Sequence, residues 1–308
     1  MRNLFAEKLY QVGKKNKKIF CVVSDISPAG SMLKFSREFP KRFINVGVAE
    51  QSMIGICAGL ATQGMRPFAY TIAAFCLYRP FEMVKTDLCY QNLPVTIVGM
   101  GSGLAYSTLG GTHHTAEDIA ICNSLPNMQI IAPCEPYEVS QAVEYCSKQN
   151  KGPIYLKLGK SGEPQISSPK SDKWKFGKLR FLYKSKKKEI CILSYGRIAA
   201  KAFEVYKKFN KDNIDLVSVH TIKPLDKDGI KKILNVYKKI IIIEEHSSIG
   251  GLTSLVKNIS SDQKSKSTII PFTLKDNFIH CYGSNEDLLD AHKLSSKYIL
   301  RKISSILS

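Results

Sequence analysis

No Cys-x-x-Cys pair occurs in this 308-residue sequence, although it holds nine cysteines. They stand scattered at positions 21, 57, 76, 89, 122, 134, 146, 191 and 281. An odd, unpaired set excludes a regular disulfide framework or a thiolate zinc site. It fits small buried apolar side chains in a reducing cytoplasm. Also missing is an apolar run of the roughly 18 to 20 residues that a membrane span needs. The opening stretch MRNLFAEKLYQVGKKNKK has an acidic residue but no small-residue cleavage site. It reads as an amphipathic helix rather than a signal peptide. There is no G-x-x-x-x-G-K-[ST] loop to cradle a nucleotide phosphate. Acidic residues are scarce, 26 against 45 basic, for a net charge of +19. The excess does not form a focused patch. Residues 1–165 carry a net +5 and residues 166–308 a net +14, nearly all of it dispersed lysine. Without a zinc, RNP or aromatic–basic stacking motif, this reads as a solvated lysine surface. Neither a nucleic acid nor a membrane is expected as partner.

What is present is ample apolar material, 44% of the residues, in an alternating pattern. Short β-rich runs such as IFCVV (19–23), PFAYTI (67–72) and PVTIVGM (94–100) alternate with helix-length segments such as SMIGICAGLATQG (52–64) and FEMVKTDLCYQN (81–92). The Ser-, Pro- and Lys-rich stretch 161–175 breaks the pattern. A second alternating series follows: EICILSY, IDLVSVH, KIIIIEE and a strand near STIIPF, ending in a helix pair. The reading is α/β: two domains, each a mainly parallel sheet flanked by helices. The boundaries are 1–165, a linker at 166–177, and 178–308.

One carboxylate stands out. Glu50 lies within NVGVAEQS, among Val46, Val48 and Ala49, where a helix begins. Desolvation by such neighbours disfavours the charged form and raises a carboxyl pKa, as a general acid needs. The plainer reading is an acidic residue favoured by a helix N-terminus.

The run NVGVAEQSMIGICAGLATQGMRPFAYT (45–71) closely resembles the pyrimidine-binding domain of transketolases. FCLYRPFEMVK (75–85) is similar to the family's aromatic segment and GTHHTAEDIAI (111–121) to its histidine loop. HTIKPLD (220–226), EEHSSIGGLTSLV (244–256) and GSNEDLLDAHKLSSKYI (283–299) resemble its C-terminal domain. The motifs occur in family order along essentially the whole chain.

The resemblance implies an enzyme dependent on thiamine diphosphate that moves a two-carbon ketol unit from a ketose to an aldehyde. It implies that Glu50 is catalytic and contacts the cofactor's pyrimidine ring, with Phe75 stacked on that ring and Tyr78 lining the same pocket. His113 would face the substrate and move protons at its oxygens. Arg2 and Lys160 would hold a substrate phosphate, Lys160 standing where the family often has arginine. The role of His114 is open, and His246 is expected to be structural or at an interface.

The family's Gly-Asp-Gly motif and its downstream asparagine, which bind Mg²⁺ and the diphosphate, are absent. No metal site is expected here. The chain looks like the C-terminal subunit of a split transketolase. Its expected partner is an N-terminal subunit carrying the Mg²⁺ and diphosphate site, with a homodimer of this chain inside a heterotetramer. Leu109 replaces an acidic residue of the family pattern, and Gly101 replaces a histidine. These changes point to a modified sugar acceptor. A 1-deoxyxylulose-phosphate-synthase-like enzyme and a 2-oxo acid dehydrogenase β subunit are the enzymatic alternatives. A basic, catalytically silent binding protein is the alternative of another class, against which Glu50, Phe75 and His113 all speak.

Overall fold

A computed structural model describes residues 1–26, 32–209 and 212–307. In the first half, strands β1 (Ile19–Val23), β2 (Phe43–Asn45), β3 (Arg66–Ile72), β4 (Thr96–Met100), β5 (Gln129–Ile131) and β6 (Ile154–Leu158) run parallel. Their apolar runs are nearly continuous because both faces are covered. Helices α1 (Arg2–Lys15), α2 (Met32–Glu38) and α7 (Pro136–Lys148) cover one face, with Phe5, Leu9, Phe35, Val139 and Val143 fully buried there. On the other face lie α3 (Glu50–Thr62), the short α4 (Ala73–Leu77) and α5 (Phe81–Met83), and α6 (Asp118–Ser124).

The helix expected over 81–92 differs in its winding. After α5 the chain continues as a π-helical segment, Val84–Tyr90, which buries Val84, Leu88 and Cys89.

The second half forms a five-stranded sheet in the order β12-β11-β8-β9-β7. Its strands are β7 (Arg180–Tyr183), β8 (Ile190–Ser194), β9 (Ile214–Ser218), β11 (Lys239–Ser247) and β12 (Thr268–Leu274). All pair in parallel except β7, which is antiparallel to β9. Helices α8 (Ala199–Lys208), α9 (Lys227–Val236), α10 (Leu252–Asp262), α11 (Asn285–Ala291) and α12 (Ser296–Leu307) complete it. The α/β class with two mainly parallel, helix-flanked sheets is as the sequence implied.

The two halves share more than a linker. Strand β10 (Thr221–Lys223), from HTIKPLD, leaves the second sheet and pairs antiparallel with β5, so the first sheet has seven strands. One buried cluster runs from Met53, Ile97 and Ile119 through Tyr195, Val217 and Leu252 without a break. The 166–177 stretch is tied down at both ends. The Ile166 and Ser167 amides donate to the Glu135 carboxylate at 2.7 Å, and Gly177 donates to Thr221 Oγ1. Glu135 and Glu138 both accept from the buried Arg180 guanidinium.

Candidate active site

In parallel α/β sheets, ligands bind beyond the carboxyl ends of the strands. The candidate residues collect there. Phe75 and Arg79 follow β3, Tyr106 and His113 follow β4, and Lys160 follows β6. Glu50 opens α3, after β2.

The turn before Glu50 is built by its neighbours. The Ser24 hydroxyl donates to the Gly47 carbonyl at 2.8 Å and accepts from the Ala49 amide. Asn45 Oδ1 accepts from the Gly47 amide. Gly47 has φ +71°, a conformation glycine adopts without strain. Glu50 is thereby held as the first residue of α3, 5% exposed. A helix N-terminus favours a carboxylate. Its desolvation does not come from Val48, which is 70% exposed. The neighbour that the sequence reading missed is Arg79. Its Nη1 lies 3.1 Å from both carboxylate oxygens of Glu50.

The same guanidinium lies over the Phe75 ring, 4.5 Å from its centre. Arg79 stands in the turn that follows α4, four residues after Phe75, and its side chain returns over that ring. The Phe75 ring in turn meets the His113 imidazole edge to face, with centres 5.0 Å apart. Thus Glu50, Phe75 and His113, distant in sequence, are joined through Arg79. His113 Nδ1 is 2.9 Å from Thr112 Oγ1. Burial, and next the Arg79 charge, hold its pKa below the usual histidine value. A neutral imidazole can both accept and return a proton at a substrate oxygen.

A basic group lies beyond His113. The Tyr106 ring is 5.7 Å from the His113 ring, and Lys160 Nζ stands 4.7 Å over the Tyr106 ring. Arg2 brings a second charge: its Nε is buried without a partner, and its cation pulls against the burial that raises the Tyr106 pKa. Leu109, expected to line a substrate position, is 48% exposed on the histidine loop.

Tyr78 and His114 face a different space. The Tyr78 hydroxyl donates to Glu117 Oε2 at 2.9 Å. Tyr78, His114, Leu104, Phe278, Tyr282 and His292 are among the residues lining a cavity of about 650 Å³. Burial lowers the His114 pKa, and its Nε2 is buried without a partner.

The EEH motif explains itself in the structure. Glu244 caps α10, accepting from the Leu252 and Thr253 amides at 2.8 Å and from the Tyr195 hydroxyl. Glu245 reaches into the first half and accepts from the Leu104 amide at 3.1 Å. His246 Nε2 accepts from the Ala120 amide in the first turn of α6. His246 is therefore an interface residue, as expected, and the second half steadies the loop that carries His113.

Among the described residues, no group of three His, Cys, Asp or Glu side chains could hold a metal ion. Nor is any described helix long and apolar enough to cross a membrane.

Comparison with known proteins agrees with this arrangement. Residues 1–164 match the family model of the transketolase pyrimidine-binding domain, and residues 179–299 that of the transketolase C-terminal domain. The chain is 31% identical over 307 residues to a transketolase C-terminal section of Methanocaldococcus jannaschii, covering 98% of this chain and 95% of that one. It is 29% identical over 302 residues to one subunit of the apulose-4-phosphate transketolase of Phocaeicola vulgatus, covering 97% and 95%. A solved split-gene transketolase, described as an inactive β4 tetramer, superposes with a TM-score of 0.87 at 29% identity. The match covers 99% of this chain and 97% of that one.

Proposed function

The chain belongs to the transketolase family, and from that premise we propose that it is the C-terminal subunit of a two-chain, thiamine-diphosphate-dependent transketolase. Its reaction is transfer of a two-carbon ketol unit from a ketose donor to an aldehyde acceptor. Relatives that this chain matches over nearly their whole length as well as its own carry transketolase names, whereas the 1-deoxyxylulose-phosphate synthases it matches are covered over about half their length, which favours ketol transfer over the acyl-transfer and oxo-acid alternatives.

The observation that carries the reading is the place Arg79 occupies. A planar cation sits on the Phe75 ring while donating to the buried Glu50 carboxylate. A cofactor aminopyrimidine needs the same two partners, so these residues fit the group. Glu50 would hold the ring nitrogen and share a proton with it, and Phe75 would support the ring face. Thiamine diphosphate, when bound, supplies the carbanion chemistry. His113 remains neutral and moves protons at the substrate's carbonyl and hydroxyl oxygens. Arg2 and Lys160 hold an anionic end of the sugar. Leu109 offers no hydrogen bond where an acidic residue would meet a hydroxyl, which suits a modified acceptor.

We assign the diphosphate and Mg²⁺ ligands to an N-terminal partner subunit. In support, the solved neighbour composed of β chains is described as inactive. A dimer of this chain inside a heterotetramer completes the proposed assembly. All nine cysteines are free thiols, which suits the cytoplasm.

The test is reconstitution. Mixed with its partner, thiamine diphosphate and Mg²⁺, the chain should transfer ketol units, and Glu50→Gln should lower turnover about 10²–10⁴-fold with the fold intact. A variant retaining more than about half the wild-type rate would remove Glu50 from the chemistry.

A further inference from the structure

We propose that Tyr106 is a specificity residue of the acceptor site, its phenol donating a hydrogen bond to the anionic end of the sugar between Arg2 and Lys160. The inference rests on the reading above for what the anion belongs to, but its geometry is independent of that reading.

The first observation is a matter of space. Gly101 has φ +68°, and a Cβ built on it would lie 2.3 Å from Cε2 of the Tyr106 ring. The Tyr106 ring fills the room that any side chain at position 101 would need. A residue five positions along the same loop thus supplies the side chain that position 101 lacks.

The second observation is what surrounds that ring. Its neighbours are the His113 imidazole at 5.7 Å and the Lys160 ammonium at 4.7 Å. The Arg2 charge acts on it as well. A cation over the ring, within the field of a second cation, favours an anion at this position.

The third observation is the phenol's idle donor. The Tyr106 hydroxyl points at Met100 Sδ, 3.8 Å away, and a thioether is a weak acceptor. Arg2 Nε, on the same site, is buried with no partner at all. One weakly used O–H and one unused N–H await acceptor oxygens. Burial keeps the phenol protonated, so it donates throughout the neutral range.

The ligand chemistry that satisfies these groups is a tetrahedral oxyanion on a short polyol chain. A phosphate ester and a sulfonate share that chemistry, and a carboxylate offers fewer acceptors. The aldehyde carbon of such an acceptor would lie toward His113.

Tyr106→Phe isolates the hydroxyl, because the ring and its packing on Gly101, Lys160 and His113 remain. Binding is read first on the full chain, titrated with inorganic phosphate and separately with methanesulfonate, following the His113 imidazole signals by NMR. Removing one hydrogen bond to a charged group should weaken phosphate binding about tenfold or more, with the ion-free melting temperature unchanged. Saturation by methanesulfonate alone would assign the site to sulfonates, still through Tyr106. Equal affinity in wild type and Tyr106→Phe, or no saturation by either ion, overturns the proposal. In the assembled enzyme, Tyr106→Phe should raise KM for a phosphorylated aldehyde about tenfold while leaving kcat, and KM for glyceraldehyde, in place. A loss of kcat on both acceptors would instead mean that Tyr106 acts through His113, and would overturn it. An ion that binds through Tyr106 in a chain that shows no ketol transfer with any partner would leave this site standing and remove the transketolase reading.

Discussion

One guanidinium nitrogen of Arg79 donates to both carboxylate oxygens of Glu50 at 3.1 Å, while the guanidinium carbon lies 4.5 Å from the centre of the Phe75 ring. A buried carboxylate needs such a partner, because an unpaired charge out of water costs several kcal/mol. The Arg79 side chain itself is 52% exposed, so it can be exchanged for another planar cation at small cost.

The same cation bears on His113. Burial depresses the His113 pKa most, and Arg79 adds to the depression. Replacing Arg79 by Met removes a positive neighbour and should raise the His113 pKa toward its ordinary value. Titration of the His113 Cε1–H signal measures it directly. An unchanged or lower value would show that Arg79 does not act on the imidazole.

Gly101→Ala should destabilise the protein by about 2–5 kcal/mol. A non-glycine residue at φ +68° costs about 1–2 kcal/mol, and an overpacked methyl about 1–3 kcal/mol more. Chemical denaturation reads the sum. Combining it with Tyr106→Ala should relieve the clash but not the backbone strain, so the two losses should add to more than the double variant shows. Strict additivity would mean that the ring does not fill the space above Gly101.

His292 should make the α11–α12 corner acid-sensitive. Its Nδ1 accepts from the Lys275 amide, and burial, with the charges of Lys275 and His114, lowers its pKa to about 4. The folded form therefore binds fewer protons than the unfolded form, whose histidine titrates near 6.5. Stability is complete above about pH 6.5, falls as pH drops toward 4, and loses at most about 3 kcal/mol. His292→Asn keeps an acceptor for the Lys275 amide without titrating. Denaturant midpoints measured from pH 7 to 4 should fall less steeply in that variant, and parallel curves would refute the assignment.

Much of this protein was legible in one dimension. Strands β1, β3, β4, β6, β8, β9 and β11 read as apolar runs because parallel strands covered on both faces leave no polar side to interrupt the pattern. The candidate site residues Glu50, Phe75 and His113 stood out through motifs, since the chemistry proposed for them is tied to residue type and local spacing. Strand β10 was not legible. Three residues long and next to a proline, Thr221–Lys223 has no periodicity of its own and becomes a strand by pairing with β5 some ninety positions earlier. Arg79 lay inside a stretch already noted for Phe75, and Tyr106 lay in the loop between two noted stretches, 94–100 and 111–121. What gives them meaning is distance: Arg79 meets a carboxylate 29 positions before it, and Tyr106 lies under Lys160 and within the field of Arg2, residues from opposite ends of the first half. Local sequence sets which backbone conformations and side-chain chemistries are available. Which charge neutralises a buried carboxylate, and which ring fills the space over a glycine, is settled where the chain folds back on itself, because burial and electrostatic pairing depend on distance in space and not on order along the chain.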